Sequence, residues 1–278
     1  MSKAKRVAGL GNSGFCDIQV WTARLDANGK VMRDAAGEPI VDTLKTAYTM
    51  HNAVSATMLG YEVHYLGYQV ATKPVNRIEF DYTSSTAYGT TSITSTTDTA
   101  VNATTIWTAT YTNETDASIT VATVNLLNLA SGTETIFASA APAQVLADNE
   151  VMRVNWTHVW SLGGSDQGIQ QQLLKDMQDY FEGVLTTTQP INQFYFNGTA
   201  DETDTPTVSA GGAVTDTTIT LVGTGTNDSD ADDTMTSFQA KNITGSTTHV
   251  LFTKTGLTQD WNNDVTLTAT LVITAAIT

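Results

Sequence analysis

The chain has 278 residues, enough for two modest domains that each bury a core. Threonine is extreme, at 51 residues; 41% of the chain is hydrophobic and only 15% charged, a composition that excludes a disordered polyelectrolyte and favours strands, where the branched Cβ of Thr fits the pleat. The net charge of −15 opposes direct binding to DNA or RNA phosphates.

From the N-terminus, Lys3, Lys5 and Arg6 form the only basic cluster, read as a solvated tail. Met1 to Asn12 lacks the apolar run of about 7–15 residues that a secretory signal needs, and no stretch approaches the ~18–20 apolar residues of a membrane span. The reading is a soluble chain made in a cytoplasm. Cys16 is the single cysteine, so no intrachain disulfide forms, and its setting in Gly14-Phe15-Cys16-Asp17-Ile18 suits a buried small hydrophobe. Asp17 to Leu25 alternates as a strand, Asp26-Ala27-Asn28-Gly29-Lys30 supplies an Asn-Gly turn and Val31-Met32-Arg33 returns, which predicts an N-terminal hairpin; Val41 to Tyr48 reads as a further strand.

Val54, Met58, Tyr61 and Tyr65 recur at helical spacing, predicting a helix over about Asn52 to Leu66 with Asn52 as its cap. A second helix is capped by Ser165 or Asp166; its stripe is Ile169, Leu173, Leu174, Met177, Tyr180, Phe181 and Val184, with Gln170, Gln171, Lys175, Gln178 and Glu182 opposite and Gly183 at its end. After the first helix, strands are predicted at Asn76–Tyr82, Thr104–Thr112, Ser118–Leu127, Thr135–Ala138 and Val151–Trp160. After the second, they fall at Asn192–Phe196, Thr217–Gly223, Met235–Lys241, Thr248–Lys254 and Val265–Ile273.

These two series match at an offset of 116 residues. Pro74-Val75-Asn76-Arg77-Ile78-Glu79-Phe80 lies over Pro190-Ile191-Asn192-Gln193-Phe194-Tyr195-Phe196, and Met58, Tyr61, Tyr65 and Tyr68 fall on Leu174, Met177, Phe181 and Val184. The expected fold is mainly β: two tandem β-sandwich-like units, each preceded by an amphipathic helix, plus an N-terminal β-hairpin arm. The expected boundaries are 1–48 for the arm, 49–162 for the first unit and 163–278 for the second, joined near Leu162-Gly163-Gly164-Ser165.

The second half of the first unit carries Tyr111-Thr112-Asn113, Ile119-Thr120-Val121, Ser131-Gly132-Thr133, Ile136-Phe137-Ala138, Pro142, Leu146-Ala147-Asp148-Asn149 and Val154-Asn155-Trp156-Thr157. The second unit adds Phe196-Asn197-Gly198-Thr199-Ala200. From about His51 onward this succession of strands and turns resembles tailed-bacteriophage virion structural proteins of the tail-fibre or collar type. The chain departs from that pattern where Val121-Ala122-Thr123-Val124 replaces a Glu-x-Gly, and where the linker between the last strands of the second unit is shorter. The resemblance implies a non-enzymatic component of a virion, made in the host cytoplasm, acting through homo-oligomeric contacts and contacts with other virion proteins.

Enzymatic signatures are missing from the sequence. His51, His64, His158 and His249 are scattered, and no nucleophile elbow, phosphate-binding loop or dinucleotide fingerprint occurs. The acids crowd into turns such as Asp201-Glu202-Thr203-Asp204, unlike the flanking pair that glycoside cleavage needs. No catalytic or cofactor-binding residue is assigned and no cofactor is expected. Asp228, Asp230 and Asp232 are a weak calcium candidate, set against a solvated or partner-facing acidic loop: their spacing fails the EF-hand pattern, with Asp233 at its glycine position and Gln239 at its glutamate position. From Asn197 to Ala240 there are eight acids and no Lys or Arg.

Trp107, Trp156, Trp160 and Trp261 lie in or beside strands; by parity Trp156 and Trp160 share a face with Val154, which suits burial. Two classes of function remain: a virion assembly protein, with the N-terminal segment reaching a neighbour, or a carbohydrate-binding module that contacts a host surface glycan through exposed aromatics. Neither involves a membrane.

Overall fold

The computed structural model describes residues 3–51, 53–67, 74–82, 85–97, 102–163, 171–184, 191–197, 203–210, 216–244 and 247–277. In chain order the elements are β1 Lys3–Ala23, β2 Val41–His51, β3 Ala53–Val54, α1 Ala56–Gly67, β4 Arg77–Tyr82, β5 Ser85–Thr90, β6 Ser92–Thr97, β7 Asn102–Thr112, β8 Ile119–Ala130, β9 Thr133–Ala140, β10 Gln144–Leu146 and β11 Glu150–Gly163. They continue with α2 Gln171–Phe181, β12 Gln193–Phe196, β13 Thr203–Asp204, β14 Thr207–Ala210, β15 Thr218–Thr226, β16 Asp233–Thr244, β17 Thr247–Trp261 and β18 Thr266–Ile277. The protein is mainly β. The proposed caps Asn52, Ser165 and Asp166 and the junction Gly164-Ser165 lie outside the described residues.

Three sheets account for the described strands. The largest has eight strands in the order β14-β15-β18-β1-β11-β7-β6, with β2 also paired to β1; a six-stranded sheet runs β3-β9-β8-β4-β5 with β10 on β8; a four-stranded sheet runs β13-β12-β16-β17. The order β9-β8-β4-β5 before α2 thus recurs as β17-β16-β12-β13 after it, and β11-β7-β6 recurs as β18-β15-β14.

Matched side chains pin the matched strands. Asn76 Nδ2 donates to Leu129 O at 3.1 Å and its Oδ1 accepts from Leu129 N at 2.9 Å; Asn192 makes the same pair of bonds with Ile243 at 2.7 and 2.8 Å. Two turns are matched as well. Buried Asn113 donates to Ala117 O and Leu146 O and accepts from the amide and hydroxyl of Thr115. Buried Asn227 donates to Ala231 O and Trp261 O and accepts from the amide and hydroxyl of Ser229. Asp116 and Asp230 adopt left-handed φ of 58° and 61° at corresponding places in these turns, a region that short polar side chains tolerate.

β1 does not behave as a projecting arm. It pairs antiparallel with β11 over Gly9–Thr22 and parallel with β18 over Lys3–Asn12, so it lies inside the largest sheet and joins a strand from the middle of the chain to one from its far end. Lys3, Lys5 and Arg6, read as a solvated tail, are part of this strand and sit opposite Thr268, Thr270 and Leu271. Backbone pairing outweighs the charge signal: this basic stretch is bonded along one edge, to β18, and from Gly9 onward β11 closes the other edge. The expected return at Val31-Met32-Arg33 is reduced to isolated bridges, Leu25 with Val31 and Arg33 with Pro39; the strand that pairs with β1 is β2, and between them lie two similar turns, in which Asp26 Oδ1 accepts from Asn28 N and Lys30 N while Asp34 Oδ1 accepts from Ala36 N and Glu38 N. Gly29 and Gly37 close these turns at φ of 79° and 85°.

The helices differ from expectation in where they begin and what they cover. Ser55 caps α1: its Oγ accepts from Met58 N at 3.2 Å, three residues after the expected cap. α1 packs against β9 but also against β15 and β18 from the far end of the chain, and α2 packs against β17 but also against β7 and β11. Because α2 is held on two sides, its supposed polar face is not open. Gln178 and Asp176 are buried, and Gln178 Nε2 donates to Thr104 O at 2.7 Å. Gly183 ends α2 at φ 77°, with Val184 N donating to Asp179 O; a Cβ there would approach Pro74 to 3.0 Å.

The core is continuous from Cys16, Ile18 and Val20 of β1 through both helices to Leu271 and Ile273 of β18. Trp107, Trp156, Trp160 and Trp261 are fully buried, with Trp107 directly opposite Trp156. Asn113→Ala and Asn227→Ala each leave one buried carbonyl, Leu146 O or Trp261 O, without its side-chain donor, and each is expected to cost about 1–3 kcal/mol in urea unfolding, against near-neutral effects for Asp116→Asn.

Candidate functional site

Where α1 lies over β1 and β11, four side chains that are distant in sequence meet inside the core. Glu62 of α1, Asn12 of β1 and His158 and Trp160 of β11 are all 0% exposed. Trp160 Nε1 donates to Glu62 Oε1 at 2.9 Å, and Asn12 Nδ2 donates to Glu62 Oε2 at 2.9 Å. With the Asn12 amide nitrogen so committed, its Oδ1 faces His158 and accepts from Nε2 at 2.9 Å, which assigns the Nε2–H tautomer. The other ring nitrogen, Nδ1, is buried and has no hydrogen-bond partner among the described residues; the same holds for Trp107 Nε1. Asn12 Nδ2 also reaches Ala276 O of β18, at 3.5 Å.

His158 Nε2 and Glu62 Oε1 are 3.8 Å apart, within range of an ion pair. Burial nonetheless pushes the Glu62 carboxyl up to about 8, against the opposing pull of the Trp160 and Asn12 hydrogen bonds, and pushes the His158 imidazole down to about 3. Desolvation dominates both, so near neutrality the pair is a carboxylic acid beside a neutral imidazole and not a salt bridge. With no open face, the group ties α1, β1, β11 and β18 together and offers no surface to a substrate.

Other candidates settle into structural surroundings. His249 Nδ1 lies 3.4 Å from Asp176 Oδ2, and the ring of His51 is 5.2 Å from that of Phe15. Burial pushes the Cys16 thiol up to about 12, so it stays protonated. On the six-stranded sheet, Glu79 is held by Asn125, which in turn accepts from Ser139 at 2.6 Å, while Glu134 accepts from Tyr88. Asp228, Asp230 and Asp232 are exposed in the turn organised by Asn227, and Asp232 accepts from Asn263 N at 3.0 Å. Among the described residues no three His, Cys, Asp or Glu side chains are grouped so as to hold a metal ion.

Sequence reasoning missed the Asn12–Glu62–His158–Trp160 group because positions 12, 62, 158 and 160 come together only once β1 enters the sheet. One signal was available: Glu62 lies between Met58 and Tyr65 on the apolar stripe of its helix, where an unpaired acid would be costly. The matched position in α2 is Gln178, also buried, and α2 buries Asp176 beside it.

The outer face of the largest sheet is different in character. Ser92, Thr108, Asn155, Asp17 and Thr49 form one rung across β6, β7, β11, β1 and β2, with Thr108 Oγ1 donating to Asn155 Oδ1 at 2.9 Å and Thr49 Oγ1 to Asp17 Oδ1 at 2.5 Å. Farther along, the hydroxyls of Thr218 and Thr274 pair at 3.0 Å and those of Thr226 and Thr266 at 2.8 Å.

No known protein family's sequence profile matches this chain, and no curated protein is significantly similar to it.

The buried group generates a pH prediction with two limbs. Glu62, raised from 4.5 to about 8, contributes stability that is complete below pH 4.5 and is lost as pH climbs toward 8. His158, lowered from 6.5 to about 3, contributes stability that is complete above pH 6.5 and is lost as pH falls toward 3. Between 4.5 and 6.5 the two trends oppose each other, so stability should form a plateau there and fall outside it, at up to about 1.4 kcal/mol per pH unit for each group. Denaturant melts across pH test this: Glu62→Gln should flatten the alkaline limb and leave the acid limb in place.

Proposed function

We propose that this chain is a non-enzymatic structural protein of a tailed-phage particle, of the tail, collar or fibre type, that acts by packing against copies of itself and against other virion proteins. In this reading it consists of two related β-sandwich-like units in tandem, each introduced by a helix, whose strands have merged through β1 into one sheet. The observation that carries it is the outer face of that sheet. Over the strands β1, β11, β7 and β6 its described side chains are Asp17 and Arg153 among many Thr, Ser, Asn and Gln and a few apolar groups such as Phe15 and Val159, so association there desolvates few charges. Edge strands β6 and β14 flank it with backbone groups able to accept a neighbouring strand. Function then lies in surfaces, and the buried polar groups hold the shape of those surfaces.

A carbohydrate-binding module is the second reading, and one observation favours it. Phe15 and Trp21 remain half exposed on that same face, whereas Trp107, Trp156, Trp160 and Trp261 have no surface left for a sugar ring.

Light scattering and negative-stain microscopy of the purified protein distinguish the two. The assembly reading expects rings, tubes or stable oligomers that the pair Thr108→Lys and Thr157→Lys dissolves while circular dichroism stays unchanged. A protein that stays monomeric at high concentration and binds a glycan array through Trp21 would replace it.

A further inference from the structure

Between β1 and β2 the chain leaves the largest sheet for an excursion of residues 24–40, in which Pro39 is the one buried residue. The excursion folds back on its own backbone: Arg24 N donates to Ile40 O, Met32 N to Arg24 O and Ile40 N to Met32 O, each at 2.8 Å. Its second turn meets the body through polar side chains. Arg33 Nη2 donates to both oxygens of Glu114, at 3.2 and 3.3 Å, and Glu38 Oε2 accepts from Thr110 Oγ1 at 2.6 Å. With so little apolar contact to draw the turn inward, a cleft of ≈ 310 Å³ stands open beside β5 and β7, walled by Arg33, Glu38, Pro39, Tyr88, Thr110 and Thr112. That volume lies at the lower end of the range of small-molecule sites. There β5 comes against β7 so closely that a Cβ on Gly89 would meet that of Ala109 at 2.7 Å.

The side chains on these walls are held by other contacts. Arg33 Nη1 donates to Gly37 O at 3.0 Å, which together with Glu114 fixes the guanidinium and leaves further N–H groups of the fork unspent. Glu38 closes the Asp34 turn, its amide donating to Asp34 Oδ1 at 2.9 Å; its second carboxylate oxygen, Oε1, accepts no hydrogen bond among the described residues. Tyr88, 43% exposed, is tethered through its hydroxyl to Glu134. One guanidinium and one carboxylate on the same walls favour neither an anion nor a cation. They suit a neutral ligand whose groups both donate and accept, and the tyrosine adds a surface for apolar C–H groups. Vicinal hydroxyls on a saturated ring have that chemistry, and side chains ordered in advance lower the cost of binding them.

We propose that this cleft is a binding site for a neutral pyranose sugar. Adjacent hydroxyls donate to Glu38 and accept from Arg33, a third reaches Thr110 or Thr112, and the C–H face of the ring lies along Tyr88. The site shares its ligand class with the carbohydrate reading but not its surface, since neither Phe15 nor Trp21 lines the cleft. It is independent of whether copies of the chain assemble.

The probes are the methyl α-glycosides of D-glucose, D-galactose and D-mannose, titrated one at a time into the full-length protein and followed by backbone-amide NMR. The expected result is saturable binding of at least one of them with a millimolar Kd or tighter, and shifts centred on residues 33–39 and 110–112. Glu38→Gln keeps an acceptor for Thr110 but loses the carboxylate, and Tyr88→Leu keeps an apolar side chain but loses the ring; each should weaken that glycoside about fivefold or more. Thermal unfolding shows which variant is as stable as the parent, and that one is decisive. Shifts centred elsewhere, unchanged affinity in a stable variant, or no saturation by any of the three up to about 100 mM would overturn the assignment. Binding that Trp21→Ala abolishes and Glu38→Gln spares would overturn it too, and would place the sugar on the outer face of the largest sheet instead.

Discussion

The structure depends on β1 being hydrogen-bonded along both edges. β11 runs antiparallel to it and β18 parallel, so strands from the middle and from the far end of the chain are held in one sheet by a segment made first. Each backbone bond contributes modestly in net terms, but leaving the amides of β1 unpaired in the interior would cost far more than the bonds return. Asn12 concentrates the same constraint in one side chain, since it touches α1, β11 and β18 at once. The burial of Glu62 and His158 follows from that junction, and their opposed shifts in proton affinity follow from the burial.

The exchange of helices has the same root. α1 rests partly on β15 and β18, and α2 partly on β7 and β11, so the apolar stripe of each helix finds its largest partner across the middle of the chain. The packing surfaces differ accordingly. α2 faces a sheet carrying Trp107, Trp156 and Trp160, whereas the corresponding strands under α1 carry Leu221, Leu271 and Ala275. Both helices carry two buried aromatics, Tyr61 and Tyr65 in α1 and Tyr180 and Phe181 in α2, so the trade of Trp for Leu and Ala lies in the strands. A close-packed interior tolerates such trades only when they are made together.

Much of the strand inventory was legible in the sequence. Alternation located β4, β7, β8, β11, β12, β15, β16 and β18 to within a few residues, and the repeated Pro-x-Asn junction marked Asn76 and Asn192, whose hydrogen bonds are the same in kind. The short strands β3, β5, β6, β10, β13 and β14 escaped notice because two to six residues carry no usable period, least of all where Ser and Thr crowd β5 and β6. The length of β1 was hidden for another reason: Gly9, Gly11, Gly14 and the basic residues before them weaken any strand signal, and only pairing with β18, joined by β11 from Gly9, makes the segment extended. The buried group at Glu62 was illegible in principle from local pattern, since its members are joined by topology and not by spacing. The acidic turn was half legible. Its charge was plain, but its organiser is the neutral Asn227, which plays the part that Asn113 plays near a much less acidic sequence.

Crossed helices and a shared central strand also govern how this polypeptide can be divided. A fragment ending at Gly163 keeps β11 beside β1 but loses β18 from the other edge, and α1 loses the floor formed by β15 and β18. A fragment beginning at Gln171 keeps β18 with only one neighbour, and α2 is stripped of β7 and β11. Neither piece encloses its own interior, so proteolytic or genetic separation of the halves removes packing that each needs from the other.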